Sequence, residues 1–194
     1  MEVYLIRHTT PLIEKGICYG QSDIPLVETF HNEIKKLQQY LPDRVDAIYS
    51  SPLNRCVKFA ELIKSHQEII QDKRLMEMNF GDLEMKKWDE INQDILNEWM
   101  KDFVNIRVPN GENFTDLHKR VNDFLDELIK TDFKKIAIIT HAGVIRSVLC
   151  RILEIPLHNA FKIQIDYGGI TKINSDKKSC YQNIEFINQV FLVI

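Results

Sequence analysis

Two segments at opposite ends of the chain each bring a histidine to the end of an apolar run. They are Val3-Tyr4-Leu5-Ile6-Arg7-His8-Thr9 and Ile136-Ala137-Ile138-Ile139-Thr140-His141-Ala142-Gly143. Imidazole can serve as nucleophile, acid or base near neutrality. The guanidinium of Arg7 adds a planar fork of donors that matches the oxygens of a phosphoryl group. Arg55, in Ser50-Ser51-Pro52-Leu53-Asn54-Arg55-Cys56, supplies a second fork. Phosphoryl transfer needs positioning and charge stabilisation above all, and two Arg with two His provide both from side chains, without a metal or cofactor. A proton donor for the leaving oxygen is also needed. Glu77, set among apolar neighbours in Leu75-Met76-Glu77-Met78-Asn79-Phe80-Gly81, is the candidate.

The elements around these residues predict how they meet. Both apolar runs lack polar alternation, the pattern of a central strand covered on both faces. Each ends in a polar turn, and the carboxyl edge of a parallel sheet is where ligands bind. Ser51 as N-cap and Pro52 as first helical residue predict a helix running to about Ser65. Helical side chains lean toward the N-terminus, so Arg55 reaches back over the end of a short strand, Asp46 to Tyr49. Thr10 to Leu26 reads as a loop, and Val27 to Leu41 as an amphipathic helix. Ile69-Ile70 reads as a short strand. Trp88, Ile91, Ile95 and Trp99 predict a further helix, and Phe114 to Ile129 carries the clearest helical stripe. A helix from Gly143 to about Leu153 follows the strand 136–140. Strands are expected at Phe161–Asp166, Gly169–Ile173 and within Tyr181–Val193, with a turn at Asn174 to Lys178. The expectation is one α/β domain over residues 1–194, mostly parallel at its centre with antiparallel additions near the C-terminus.

Composition narrows the function classes. A net charge of −3 with scattered Lys and Arg leaves no electrostatic footprint for nucleic acid. No apolar stretch approaches the roughly 20 residues of a membrane span, and the chain enters its first strand without the basic start and apolar run of a signal peptide. Cys18, Cys56, Cys150 and Cys180 show neither CxxC pairing nor zinc-ligand spacing. They read as reduced thiols of a cytoplasmic protein.

Four motifs, in this order, resemble the signatures of the histidine phosphatase superfamily. Arg7-His8-Thr9 resembles the signature whose His becomes phosphorylated. Ser50 to Cys56 resembles the motif that supplies the second phosphate-binding Arg. Leu75 to Gly81 resembles the segment bearing the acid/base Glu, and Thr140-His141-Ala142-Gly143 that of the second His. The resemblance implies a three-layer α/β/α sandwich of the phosphoglycerate-mutase-like kind and a phosphohistidine mechanism. In that mechanism His8 is the nucleophile, Glu77 the acid/base, and Arg7, Arg55 and His141 hold the phosphoryl group. Its partner is a small phosphomonoester, and it leaves room for a homodimer.

Within the family, Arg7-His8-Thr9-Thr10-Pro11 followed by Gly16-Ile17-Cys18-Tyr19-Gly20-Gln21-Ser22-Asp23 looks like α-ribazole phosphatases of cobalamin assembly. That likeness implies substrate contacts from Tyr19 and Gln21. Three positions depart from the family pattern: Phe59 for a usual Thr, Met85 for a common Gly, and Asn113 for a Ser. The last two are expected to reshape the substrate side of the pocket. A broad-specificity phosphatase, a phosphoglycerate mutase and a non-catalytic phosphate-binding module are the alternatives. The short stretch from Met85 to Pro109 argues against the mutase, and the presence of all five reactive residues argues against the non-catalytic module.

Overall fold

In the computed structural model, which describes residues 1–63, 67–176 and 181–190, the buried runs form the middle of a six-stranded sheet. The strands are β1 (Glu2–Arg7), β2 (Ala47–Ser50), β3 (Ile69–Gln71), β4 (Lys135–Thr140), β5 (Ile170–Asp176) and β6 (Tyr181–Gln189). Their order across the sheet is β3-β2-β4-β1-β5-β6. The first four are parallel, β5 runs antiparallel to β1, and β6 antiparallel to β5. The helices are α1 (Phe30–Gln38), α2 (Asn54–Ile63), α3 (Gln93–Lys101), α4 (Phe114–Leu128) and α5 (Ala142–Ile152).

Strand geometry sorts the apolar runs between two cores, because successive side chains point to opposite faces. Tyr4, Ile6, Ala137 and Ile139 pack with Ile34 and Leu37 of α1 and Phe59 and Ala60 of α2. Val3, Leu5, Ile136 and Ile138 pack on the other face with Leu117, Val121 and Phe124 of α4 and Val144, Val148 and Leu149 of α5. This is the three-layer α/β/α arrangement. Phe59, which departs from the family pattern, is a wholly buried packing residue.

Several elements differ from expectation. α2 starts at Asn54, two residues later than the expected first helical residue, Pro52. The Leu53 carbonyl accepts the first helical N–H groups, from Cys56 and Val57, while Ser51 turns toward the site. α3 contains Ile95 and Trp99 but neither Trp88 nor Ile91, because Asn92 caps the helix through the Asp94 N–H at 2.9 Å. Trp88 reaches Trp99 by stacking at 6.3 Å from outside the helix, and Phe80 meets both edge-on. Phe161–Asp166 is not a strand. Leu157–Lys162 is a 3₁₀ helix, and beyond it the Ile163 and Ile165 carbonyls accept from arginine side chains instead of a sheet partner. Asn174 to Asp176, expected in a turn, continue β5 and pair with Tyr181 to Asn183 of β6. The expected end of α2 near Ser65, Lys177-Lys178 of the turn, and Cys180 lie outside the described residues.

Candidate active site

The parallel pairing of β1 with β4 sets Arg7 beside Thr140, so the next residues, His8 and His141, emerge together at the carboxyl edge. Their ring centroids are 5.1 Å apart. Arg7 donates from Nη1 to the Ile165 carbonyl at 2.6 Å. Arg55, the second residue of α2, is wholly buried and donates to the carbonyls of Ser22 at 2.8 Å and Gly20 at 2.5 Å. Arg55 thus reaches back as its helical position requires, and the loop that follows His8 wraps around it. Hydrogen bonds to a charged group stabilise by about 1.5–3 kcal/mol each, which offsets part of the cost of burying the guanidinium.

His8 is 2% exposed, and its Nδ1 donates to the Thr9 carbonyl at 2.7 Å. The proton held at Nδ1 leaves Nε2 with its lone pair, the tautomer that nucleophilic attack requires. Burial, reinforced by the charges of Arg55 and Arg7, holds the His8 pKa well below the usual histidine value. His141 caps α5 and lies equally deep; burial, then Arg55 and His8, hold its pKa well down too. Ser51 Oγ accepts from the Leu53 N–H at 3.4 Å and lies 2.8 Å from His141 Nε2. Cys56 Sγ lies 3.5 Å from the same nitrogen, and where the Ser51 hydroxyl donates to Nε2 the ring proton of His141 sits at Nδ1. That atom, with Arg7 Nε and Arg55 Nε, is among the buried polar atoms that lack a protein partner. Two guanidinium Nε–H groups and an unpartnered imidazole nitrogen at one sheet edge suit an anion's oxygens.

Glu77 faces this group. Its Oε2 accepts from the Gly143 N–H at 3.1 Å, in the first turn of α5, and its Oε1 from the Met78 N–H at 2.9 Å. A Cβ at position 143 would stand 2.2 Å from Glu77 Oε1, so the glycine is what permits this approach. The backbone behind Glu77 is held from two sides. Arg120 donates to the carbonyls of Arg74 at 2.8 Å, Met76 at 2.6 Å and Glu77 at 2.9 Å, while Glu112 receives the rest of its fork. Gln21 donates from Nε2 to the same Glu77 carbonyl at 3.0 Å.

These groups open on a cavity of about 210 Å³. Arg7, His8, Arg55, Glu77 and His141 line it, and so does Tyr19. Gln21 does not: its amide is engaged behind Glu77, which corrects its expected substrate contact to support of the backbone. Phe80, Trp88, Phe161, Tyr167 and Arg146 also line it, with the Tyr167 ring 5.5 Å from that of His8. Among the described residues no group of three or more His, Cys, Asp or Glu is suited to a metal, and no helix is long and apolar enough to cross a membrane.

The sequence profile of the histidine phosphatase superfamily, branch 1, matches residues 3–188. The chain belongs to this superfamily. It is 32% identical over 181 residues to "Putative phosphoserine phosphatase 2" of Hydrogenobacter thermophilus, covering 90% of this chain and 89% of the relative. It is 27% identical over 183 residues to a "Probable phosphoglycerate mutase" of Yersinia pestis, covering 90% and 85%. Among solved structures, the α-ribazole phosphatase from Shigella flexneri superposes with a TM-score of 0.89 at 25% identity, over 100% of this chain and 99% of that one. The fold is therefore the phosphoglycerate-mutase-like one, and the protein is an enzyme of the phosphatase class.

In this histidine phosphatase the departures from the family pattern do not touch the cavity. Asn113 caps α4: its side chain accepts from the Asp116 N–H at 2.8 Å, and Asp116 accepts in return from the Asn113 N–H at 3.2 Å. Asn performs the capping that Ser would. Met85 is 55% exposed and takes φ 65°, a left-handed conformation in which glycine is unstrained and methionine is not. Neither residue lines the pocket. The thiols of Cys18 and Cys56 are each pushed up to about 12, chiefly by burial, so they stay protonated. Sequence reasoning missed the aromatic wall of Phe80, Trp88 and Phe161, and with it Arg146 and Tyr167. Arg146 lies one helical turn beyond Gly143, a spacing that signals a shared face. Tyr167 had no signal, because it sits where a strand was expected to end.

Proposed function

We propose that the chain is a phosphomonoesterase working through a phosphohistidine intermediate, a single histidine phosphatase domain acting in the cytoplasm. The observation that carries this reading is the free Nε2 of His8 beside unpartnered nitrogens of Arg7, Arg55 and His141. His8 Nε2 attacks phosphorus, the bond from phosphorus to the leaving oxygen breaks, and Glu77 gives that oxygen its proton. Glu77 then takes a proton from water, whose oxygen attacks phosphorus as the N–P bond breaks and orthophosphate departs. Nucleophile, proton carrier and charge stabilisation all come from side chains, so the reaction needs no metal.

For the substrate we favour α-ribazole 5′-phosphate or its cobalamin-attached form, supported by the aromatic lining from Tyr19, Phe80, Trp88, Phe161 and Tyr167 and by the likeness to the Shigella enzyme. Aromatic walls suit a flat heterocycle, and binding energy from remote parts of a substrate can be expressed in the transition state. A second reading, a phosphomonoester carrying a carboxylate, is favoured by Arg146. Among the described residues its polar contact is the Ile163 carbonyl at 2.9 Å, with no carboxylate in ion-pair range.

Acid-labile phosphate trapped on the wild-type protein and absent from His8→Ala, with turnover down at least about 10⁴-fold, is expected. Labelling that survives in His8→Ala overturns the mechanism. In a substrate panel, kcat/KM for α-ribazole 5′-phosphate should exceed that for 3-phosphoglycerate by at least about 10², roughly 3 kcal/mol. Equal or reversed preference removes the α-ribazole reading and leaves the phosphatase.

A further inference from the structure

Tyr167 occupies a loop that is bound tightly around Arg7. The Gly168 N–H donates to the carbonyls of Arg7 and His8 at 3.2 Å each, and the Arg7 N–H donates to the Gly169 carbonyl at 3.1 Å. Gly168 takes φ 69°, which lets the chain turn back against β1 at that point. The turn lays the Tyr167 ring under the Arg7 guanidinium, with Cζ 3.7 Å from the ring centroid, and 5.5 Å from the His8 ring. The Tyr167 hydroxyl lies 2.5 Å from that of Tyr19, whose ring in turn sits 5.5 Å from Arg55 Cζ. Two loops remote in sequence thus join across the cavity, and each carries an aromatic ring against one of the two guanidinium groups.

Stacking engages the face of a guanidinium and leaves its edge free. Arg7 spends Nη1 on the Ile165 carbonyl, while Nε has no protein partner. Its Nε edge is therefore held in one plane by the ring beneath it and available to two oxygens of one phosphoryl group. We propose that Tyr167 is a positioning residue for Arg7, and that its hydroxyl bridge to Tyr19 couples Arg7 to Arg55 so that both forks meet one phosphoryl group in a fixed geometry. This rests on the phosphohistidine reading above for its chemistry, but not for its anion binding.

The test measures the dissociation constant of inorganic phosphate by calorimetry, beside acid-labile phosphate labelling of the same preparations. Tyr167→Leu removes the stack and should weaken phosphate at least about tenfold, about 1.4 kcal/mol. Tyr167→Phe keeps the ring and loses the bridge, and should weaken phosphate about two- to fivefold. Tyr19→Phe should match it, and the double Phe variant should be no worse than either single one, because the two hydroxyls share one bond. Tyr167→Leu within twofold of wild type, or Phe substitutions whose effects multiply, overturns the proposal. Should Tyr167→Leu fail to fold, the Phe cycle decides alone, since both of its variants keep the ring. A wild-type protein that takes no label, with phosphate binding still weakened in the variants, defeats the mechanism and leaves the positioning role standing. Normal labelling with unchanged phosphate affinity does the reverse.

Discussion

The two ends of the cavity are built differently. At the phosphoryl end, Arg7, His8, Arg55 and His141 come from strand ends and helix starts, lie almost wholly buried except for Arg7, and are fixed by short bonds to backbone carbonyls or Ser51. At the other end, Phe80, Trp88 and Phe161 come from loops and 3₁₀ turns and Phe114, Leu117 and Arg146 from regular helices, while the Tyr19 and Tyr167 loops reach across to Arg55 and Arg7. Regular elements place reacting groups with little freedom, because their positions follow from sheet register and helix geometry. Loop side chains at Phe80, Trp88 and Phe161 can change the leaving-group wall, while the Tyr19 and Tyr167 loops stay tied to the two guanidinium groups. The contrast explains how relatives named for a phosphoserine phosphatase, a phosphoglycerate mutase and an α-ribazole phosphatase can share one fold.

Three experiments press on that division. Glu77 joins the two ends, and Glu77→Gln keeps its shape while removing proton transfer. Turnover should fall by about 10² to 10⁴. Phosphoenzyme formation should fall far less for a substrate with a very good leaving group; equal losses for good and poor leaving groups would show that Glu77 only binds.

A second experiment concerns the phosphoryl end alone. His8 and His141 have folded pKa values well below their ordinary 6.5, so at acid pH the unfolded chain binds protons that the folded one does not. Their contribution is complete above about pH 6.5 and is lost as pH falls below it, with an upper limit of about 3 kcal/mol per pH unit for the pair. Denaturant melts from pH 7 to pH 5 should show this decline. Replacing either histidine by glutamine should lower the slope by up to about 1.4 kcal/mol per pH unit, while His118, whose pKa burial also lowers, keeps its share. An unchanged slope would mean that the folded protein tolerates charged imidazoles at this edge.

The smallest effect is expected at the leaving-group end. Arg146→Leu should cost about tenfold in kcat/KM for phosphoserine, the scale of one hydrogen bond to a charged group, and less for α-ribazole 5′-phosphate. Equal losses for both would move Arg146 into the phosphoryl end and break the division.

The legible parts of the sequence were those governed by local rules. Apolar runs without alternation marked β1 and β4, the stripe from Phe114 marked α4, and the helix-start position of Arg55 implied that it reaches back to the sheet edge. Four motifs in order were enough for the family. What failed did so where a loop's partners are distant in sequence. Phe161–Asp166 has strand-like composition, yet its backbone serves Arg7 and Arg146. Trp88 has helical spacing to Trp99, but Asn92 starts the helix after it. Gly16 to Asp23 read as a recognition loop. Most of it is a brace: the carbonyls of Gly20 and Ser22 hold Arg55, Gln21 holds Glu77, and only Ile17 and Tyr19 face the cavity.

By itself, the sequence determined which residues are the candidate reacting groups, the strands that carry them and the family, because side-chain type and local periodicity are properties of short segments. Tertiary structure decided which carbonyl fixes the His8 tautomer, that Arg120 and Gln21 hold the backbone of Glu77, and that Tyr167 lies under Arg7. Each of these is a contact between segments brought together by sheet register and loop closure, and no local pattern encodes such a meeting.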